Sequence, residues 1–311
     1  MKESFSSVEI SIVIPTFNRK EILFYCLKSL LNQTFPRENY EILVIDDGST
    51  EDIETLIKDV NVDSLIRYFR QEKSGQARAE NLGIKNAKGE IILFLDNDMI
   101  ATIKLIEEHF LFHQRYKNYI VRGAYANTSD YVNPEKACEG RFYSTAFFIA
   151  GNVSISKNIL LNVGMFDEDF KRYGWLDLEL GIRLRKIGIK AITNKKAFTY
   201  HYQKSFIPED LPALCHKELE RGHTAVLFYS KHPCFRVRMA TMNPLVLFFG
   251  NIIYKFACND INKSANIILY LYNKNLDWLL KNIINLVAMA YYSYGVKEAL
   301  RWKKRNLVIV E

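Results

Sequence analysis

The feature that most constrains the fold is an alternation of short apolar runs and helix-patterned segments through the first two hundred residues. Residues 10–14, 41–45, 65–69 and 91–95 are short runs rich in branched apolar side chains, the pattern of buried strands. Between the first two, residues 20–33 carry Ile22, Leu23, Cys26, Leu27, Leu30 and Leu31 at helical spacing, and 52–59 and 76–87 read as further helices. Strands alternating with helices imply an α/β fold with a mostly parallel sheet flanked by helices. Beyond Asp98 the pattern is mixed, with helices over 102–116 and 176–187 and strand-like stretches at 147–155 and 197–200, while 124–142 reads as a loop with no legible specificity code. From Pro208 only helical periodicity remains, over 211–231, 246–258 and 265–289. The expected organisation is an α/β domain over 1–207 and an α-helical C-terminal region over 208–311.

The chain has 311 residues, 49% hydrophobic and 25% charged, which supports a sizeable core and excludes global disorder. A net charge of +7 suits anionic partners, whether a nucleotide diphosphate, a membrane surface or nucleic acid, and selects none of them. The five cysteines are odd in number and form no CxxC pair, so reduced thiols in a cytoplasmic protein, with no zinc site, are expected. Residues 1–8 lack the apolar core of a signal peptide. No apolar run reaches the length of a membrane span, the nearest being 244–258, cut by Asn251 and Lys255.

Several segments place chemistry at the expected C-terminal edge of the sheet, where open α/β sheets bind ligands. Asp96-Asn97-Asp98 follows the 91–95 run. Magnesium-like cations are held by one or two carboxylates together with substrate phosphates, so this pair suits a metal–diphosphate clamp, though Asp and Asn equally build ordinary turns. Pro15, which lacks an N–H, is expected to end the first ladder and start the loop Thr16-Phe17-Asn18-Arg19. After the second strand, Asp47 either accepts from a base N–H or, with Ser49, builds the turn and caps the helix from Asp52. Residues 74–81 open a helix whose N-terminus favours anions, with Arg78 adding positive charge.

Together these segments resemble a known family. SIVIPTFNR, EILVIDDGSTED and SGQARAENLGIKNAKGEIILFLDND are similar in order and spacing to the nucleotide-binding half of family 2 glycosyltransferases, which have the GT-A fold. GNVSISKNILLNVGMFDEDF and RYGWLDLELGIRLRKIGIKA resemble the acceptor-side segment of such enzymes and of related galactosyltransferase domains. The resemblance spans residues 9 to about 202. It implies a metal-dependent inverting transfer from a nucleotide-diphosphate sugar, commonly a UDP-sugar, to a glycan, lipid-linked or protein acceptor. By position, Pro15, Thr16, Phe17, Arg19, Asp47, Arg78, Asp96 and Asn97 would line the nucleotide-sugar site. Asp98 and His201 would hold Mn2+ or Mg2+, and Asp177 would be the general base. Asn152, Trp175 and Glu179 would meet the sugar or acceptor, with Glu179 the substitute base. On one helix 177 and 179 lie about 200° apart, so both should not enter the cleft.

Two departures stand out. The family often has Glu-Asp where this chain has Leu176-Asp177, and Ala-Arg-Asn where it has Ala79-Glu80-Asn81. Two other readings remain open: a nucleotidyltransferase making sugar nucleotides, which needs a glycine-rich loop after the first strand, and a non-catalytic nucleotide-sugar-binding homologue. The aromatic C-terminal helices suit a bundle, a homo-oligomer interface or peripheral contact with the inner face of a membrane. The short basic run 303–305 gives no ground for nucleic acid.

Overall fold

The computed structural model describes residues 8–61, 64–258 and 260–307. In the first part of the chain β1 (Ile10–Thr16), α1 (Lys20–Leu31), β2 (Tyr40–Asp46), α2 (Ile53–Val60), β3 (Ile66–Arg70), α3 (Gln76–Asn86) and β4 (Ile91–Leu95) alternate as the apolar pattern requires. Then come β5 (Met99–Ala101), α4 (Leu105–Arg115), β6 (Tyr119–Thr128), β7 (Cys138–Tyr143), β8 (Asn152–Ser156), α5 (Lys157–Val163), α6 (Leu176–Lys186) and β9 (Lys190–Tyr202). The chain divides into two compact units, the first running to Lys171 and resuming over Asp177–Lys204, the second comprising 172–176 and the residues from Ser205 onward.

The first unit is built on one mixed sheet of order β3-β2-β1-β4-β8-β6-β9-β5, with β7 paired to β6. Its first four strands are parallel; β8 enters antiparallel to β4. Ile10, Ile12, Val13 and Ile14 of β1 are all buried, as befits a strand covered on both faces. The core beneath α1 joins Leu23, Leu27 and Leu30 to Ile42, Val44 and Leu93.

Pro15 does not end β1. The ladder to β2 continues through Pro15↔Ile45 and Thr16↔Asp46, and the Asp47 N–H donates to the Thr16 carbonyl at 2.9 Å. Successive strand residues direct their polar groups to opposite neighbours, so Pro15 faces the β4 side, where pairing already stops at Val13↔Phe94. Its missing N–H costs no ladder bond. A second correction concerns 124–142, read as loop: much of it is β6 and β7. All of β7 is exposed, so it lacks the apolar pattern that marks a buried strand.

The second unit is helical: α7 (Leu211–Lys231), α8 (Phe235–Thr241), α9 (Pro244–Ile253), α10 (Ile261–Asn273) and α11 (Asp277–Leu307). Asn243 caps α9 by accepting from the Leu245 N–H at 3.0 Å, and a π-helical turn, Tyr254–Cys258, follows it. The helix expected over 265–289 is two helices. The break falls at 274–276, where Asn275 adopts φ 52° and the left-handed conformation ends a helix. Gly222 and Gly295 let α7 and α11 cross backbone to backbone; a Cβ on either would lie 2.3 Å from a carbonyl oxygen of the other helix. Among the described residues no helix is long and apolar enough to cross a membrane.

Candidate active site

The C-terminal ends of β1, β2 and β4 lie side by side, which brings Thr16, Asp46 and Asp96 to one edge of the sheet. The loop after β1 is held in a set shape. Asn18 and Arg19 have φ of 57° and 66°, an uncommon region for residues other than glycine. The Asn18 carboxamide oxygen accepts from the Thr50 N–H at 2.9 Å, and the Asn18 N–H donates to the Ser49 hydroxyl at 2.7 Å. These bonds to the β2 loop offset the strain and aim Arg19 across the edge. Its guanidinium meets Asp98 Oδ2 at 2.6 Å and lies 3.5 Å from Asn97 Oδ1. Asn97 in turn donates to the Thr16 hydroxyl at 2.9 Å.

Asp98 and His201 are a hundred residues apart and meet through strand pairing. β5 runs antiparallel to β9 with Met99 opposite His201, and the Tyr202 N–H donates to the Asp98 carbonyl at 2.9 Å. His201 Nε2 therefore lies 3.6 Å from Asp98 Oδ1, an oxygen that is buried and has no hydrogen-bond partner. Donors on one cation sit about 2.0–2.2 Å from it, hence up to roughly 4 Å from each other, so this pair fits a shared divalent ion. Among the described residues no group of three or more His, Cys, Asp or Glu is gathered as a metal cage. Two protein ligands leave positions open for water and phosphate oxygens, the usual way magnesium-like ions are held. Beside the pair lies a cleft of ≈ 760 Å³ lined by Arg19, Tyr25, Asp98, Tyr131, Tyr202 and Lys204, among others.

Behind Asp98 the site is acidic. Burial, then the neighbouring Asp98 and Asp177 charges, hold the Asp96 carboxyl well above the usual carboxylate range; Arg19 partly offsets them. Burial raises Asp177 to about 7, against a weaker opposing bond from the Ala150 backbone. Asp177 Oδ1 is buried and unpartnered. A carboxylate poised near neutrality with a vacant lone pair is suited to accept a proton. Glu179, two residues on, is committed elsewhere: Arg183 holds it with Nε at 2.8 Å and Nη2 at 2.6 Å.

Asp47 is not a free base reader. Its Oδ1 accepts from Gln71 Nε2 at 2.7 Å and the Ser74 N–H at 2.8 Å, and its Oδ2 from the Gly75 N–H at 3.0 Å. It anchors the start of α3, where a negative charge is favourable, while α2 is capped by Asp52. A base N–H would have to share Oδ2. Phe17 stands exposed under the Lys73 ammonium, 4.0 Å from the ring centroid. Arg78, near the start of α3, lies 3.6 Å from Glu168.

Residues 11–169 match the family described as Glycosyl transferase family 2. The chain belongs to this family. It is 40% identical over 133 residues to an uncharacterized glycosyltransferase of Rickettsia bellii, covering 40% of this chain and only 19% of that relative. It is 25% identical over 256 residues to the uncharacterized glycosyltransferase YfnE of Bacillus subtilis, covering 63% and 65%. With the chondroitin synthase of Pasteurella multocida it shares 30% identity over 225 residues, 57% of this chain and 23% of the synthase. Among solved structures, the mannosyltransferase PcManGT of Pyrobaculum calidifontis, in complex with GDP-Man and Mn2+, superposes with a TM-score of 0.60 at 18% identity over 95% of this chain and 88% of that one. That likeness extends the shared fold through nearly the whole chain.

Two residues expected in the family 2 site are spent elsewhere. The Asn152 amide is consumed inside the sheet: Nδ2 donates to the carbonyls of Ala124 and Ala197, and Oδ1 bonds His109 Nε2 at 2.9 Å. It has no donor left for an acceptor sugar. Trp175 is part of the second unit's core, where its indole N–H donates to the Arg221 carbonyl at 2.9 Å and its ring stacks on Phe228. Packing, not sugar stacking, accounts for it. Conversely, Glu80 was visible in the sequence only as a departure from the family motif. It is fully buried, with neither carboxyl oxygen hydrogen-bonded.

Proposed function

We propose that the protein transfers a sugar from a nucleoside diphosphate sugar, a UDP-sugar before others, to an acceptor hydroxyl with inversion, in glycan or polysaccharide assembly. The observation that carries this reading is Asp177, whose carboxyl desolvation raises to about 7 and whose Oδ1 is buried and unpartnered, with its charge acting on Asp96. Asp177 would take the acceptor's proton as the acceptor oxygen bonds to the anomeric carbon and the nucleotide departs. Asp98 and His201 would hold Mn2+ or Mg2+, which would neutralise charge on the departing diphosphate as a Lewis acid. Arg19, already against Asp98, adds a positive charge at the same place. Asp96, Asn97 and Thr16 would meet the ribose, and Pro15, Asp47 and Arg78 the base side. Support comes from family membership and from the ligands of the neighbours: GDP-Man and Mn2+ in the mannosyltransferase, and UDP, GalNAc and Mn2+ in GalNAc-T7, which superposes with a TM-score of 0.54 at 16% identity. The nucleotidyltransferase alternative has nothing to support it, since β1 leads into Phe17-Asn18-Arg19 and not a glycine-rich phosphate loop.

A panel of nucleotide sugars with and without Mn2+ tests the reading. A matching donor should raise the melting temperature by mass action and do so more with the metal present. Stabilisation by a donor that is unaffected by EDTA removes the metal from the reading; no stabilisation by any donor removes the reading itself.

The second unit is proposed to rest on an anionic lipid surface. Phe248, Phe256, Trp278 and Trp302 are exposed, Trp278 at 78%. Lys297, Arg301 and Lys304 line a groove of ≈ 300 Å³ together with Leu247 and Leu300. Exposed aromatics beside clustered cations suit a headgroup boundary. Vesicles containing phosphatidylglycerol should co-sediment the protein at low salt and release it at high salt. If vesicles fail at low salt while the protein sediments as a dimer, the face is a contact between copies and the lipid assignment is wrong.

A further inference from the structure

His109 and His113 of α4 are buried and have no part in the proposed reaction. Their hydrogen bonds form one chain whose direction follows from counting donors and acceptors. The Asn152 Nδ2 hydrogens go to the carbonyls of Ala124 at 3.2 Å and Ala197 at 3.1 Å, so Oδ1 faces His109 Nε2 at 2.9 Å. Turning the amide over would set an oxygen against two carbonyl oxygens. Oδ1 only accepts, so His109 Nε2 carries the hydrogen. In a neutral ring Nδ1 is then the acceptor, and it takes the Ser154 hydroxyl hydrogen at 2.8 Å. The Ser154 oxygen accepts in turn from His113 Nε2 at 2.8 Å. Burial keeps the His109 ring neutral, lowering its pKa to about 4.

The other end of the chain lies where the sheet is irregular. β6 and β9 pair through Arg122↔Thr193 and resume at Ala124↔Phe198, so 194–197 of β9 stand against Gly123 alone. A bulge of this kind leaves backbone groups without ladder partners. Asn152 of β8 bridges the break, with one amide hydrogen on a carbonyl of each strand. Gly123 leaves room for it, since a Cβ there would lie 2.2 Å from Asn152 Nδ2. The bulge is tied to α4 a second time, by Asn194 Nδ2 donating to the Glu108 carbonyl at 3.0 Å. Beyond the break β9 runs on to His201, opposite Asn127 on β6 and Met99 on β5. A slip of one residue there would turn His201 to the other face of the sheet, away from Asp98.

We propose that His109 is a positioning residue: by orienting the Asn152 carboxamide it locks the register of β9 against β6 and so holds His201 at Asp98. The consequence for Mn2+ rests on the reading of Asp98 and His201 as the metal pair, and two readouts separate the clamp from that reading. The first needs no metal. NMR of histidine labelled with 15N in the ring, assigned by the signals lost in His109→Gln and His201→Ala, should show His109 as the Nε2–H tautomer at pH 7. The His201 ring stands edge-on to Tyr125 of β6, with centroids 5.8 Å apart, so its proton shifts report how β9 is set against β6. They should move in His109→Leu and return in His109→Gln, which keeps an N–H for Asn152 and an oxygen for Ser154. His109 in the Nδ1–H form, or His201 signals unmoved in His109→Leu, overturns the proposal. If His109→Leu does not fold, Ser154→Ala takes its place: His109 Nδ1 loses its donor, and an unchanged His109 tautomer with unmoved His201 signals overturns the proposal equally.

The second readout is titration with Mn2+ in the presence of UDP. His109→Leu should weaken Mn2+ binding by about tenfold, the lower end of the cost of losing a group that orients a metal ligand, and His109→Gln should not. In a His201→Ala background the same change should cost nothing further, because its effect passes through His201. An additive loss overturns the proposal, as does wild-type affinity in His109→Leu where His201→Ala binds weakly. If the His201 signals respond as expected while His201→Ala keeps wild-type Mn2+ affinity, the clamp stands and the metal reading falls.

Discussion

Asp177→Asn is expected to leave donor binding intact and to slow transfer, or donor hydrolysis with water as acceptor, by about 10²–10⁴-fold. Asn keeps the shape of the side chain and removes the proton acceptor. Glu179→Gln should cost stability rather than catalysis, because Glu179 is engaged by Arg183 within α6. If Asp177→Asn transfers normally and Glu179→Gln is dead, the base has been assigned to the wrong carboxylate. In the wild type the rate should rise with pH through about 7, as Asp177 loses its proton. The stability signature has the opposite sign. The folded value of about 7 lies above the ordinary 3.8, so the folded state binds the extra proton between them. Stability conferred by the neutral form is complete below about 4 and is lost as pH rises through about 7. Asp177→Asn should flatten that part of the stability–pH curve, which urea titrations at several pH values would show.

Asp98→Ala should abolish the metal-dependent part of donor binding and with it turnover. Asp98 Oδ1 is the buried, unpartnered oxygen facing His201, so no other side chain takes over its place. His201→Ala, which removes the partner ligand from β9, should weaken Mn2+ affinity by about 10–100-fold while the sheet is kept. Isothermal titration with Mn2+ in the presence of UDP measures both. The thermal stability of Asp98→Ala tells the two roles of Asp98 apart. Loss of the 2.6 Å contact with Arg19 frees an exposed guanidinium and should cost little, so a collapsed fold would mark Asp98 as structural. Wild-type Mn2+ affinity in His201→Ala would remove His201 from the site.

The place of the acidic pair was legible from local signals. A buried strand followed by two carboxylates places Asp96 and Asp98 at a sheet edge whatever the rest of the chain does, because the apolar run must end where it meets solvent. The helices of the second unit were visible wherever apolar residues recur at helical spacing, and α7 runs over the expected residues 211–231. The misread segments lack such signals. β7 is exposed on both faces and β6 mixes apolar with polar residues. Trp175 and Asn152 were misjudged because residue type tells what a side chain offers and not what it has already been given. A tryptophan two residues before a proposed base looks like a sugar platform until its N–H is seen bonded to Arg221.

Sequence order alone determined the alternation of strands and helices, the acidic end of β4 and the residue types available to a nucleotide-sugar site, since each depends on neighbours a few positions apart. Tertiary structure decided which of those residues act together. Pairing of β5 with β9 sets His201 against Asp98; the ion pair with Arg183 takes Glu179 out of contention; and burial raises the Asp177 carboxyl to about 7. The physical reason is common to all three. Protonation, metal affinity and hydrogen-bond capacity depend on distance and burial in space, and residues a hundred positions apart acquire both only when the sheet closes.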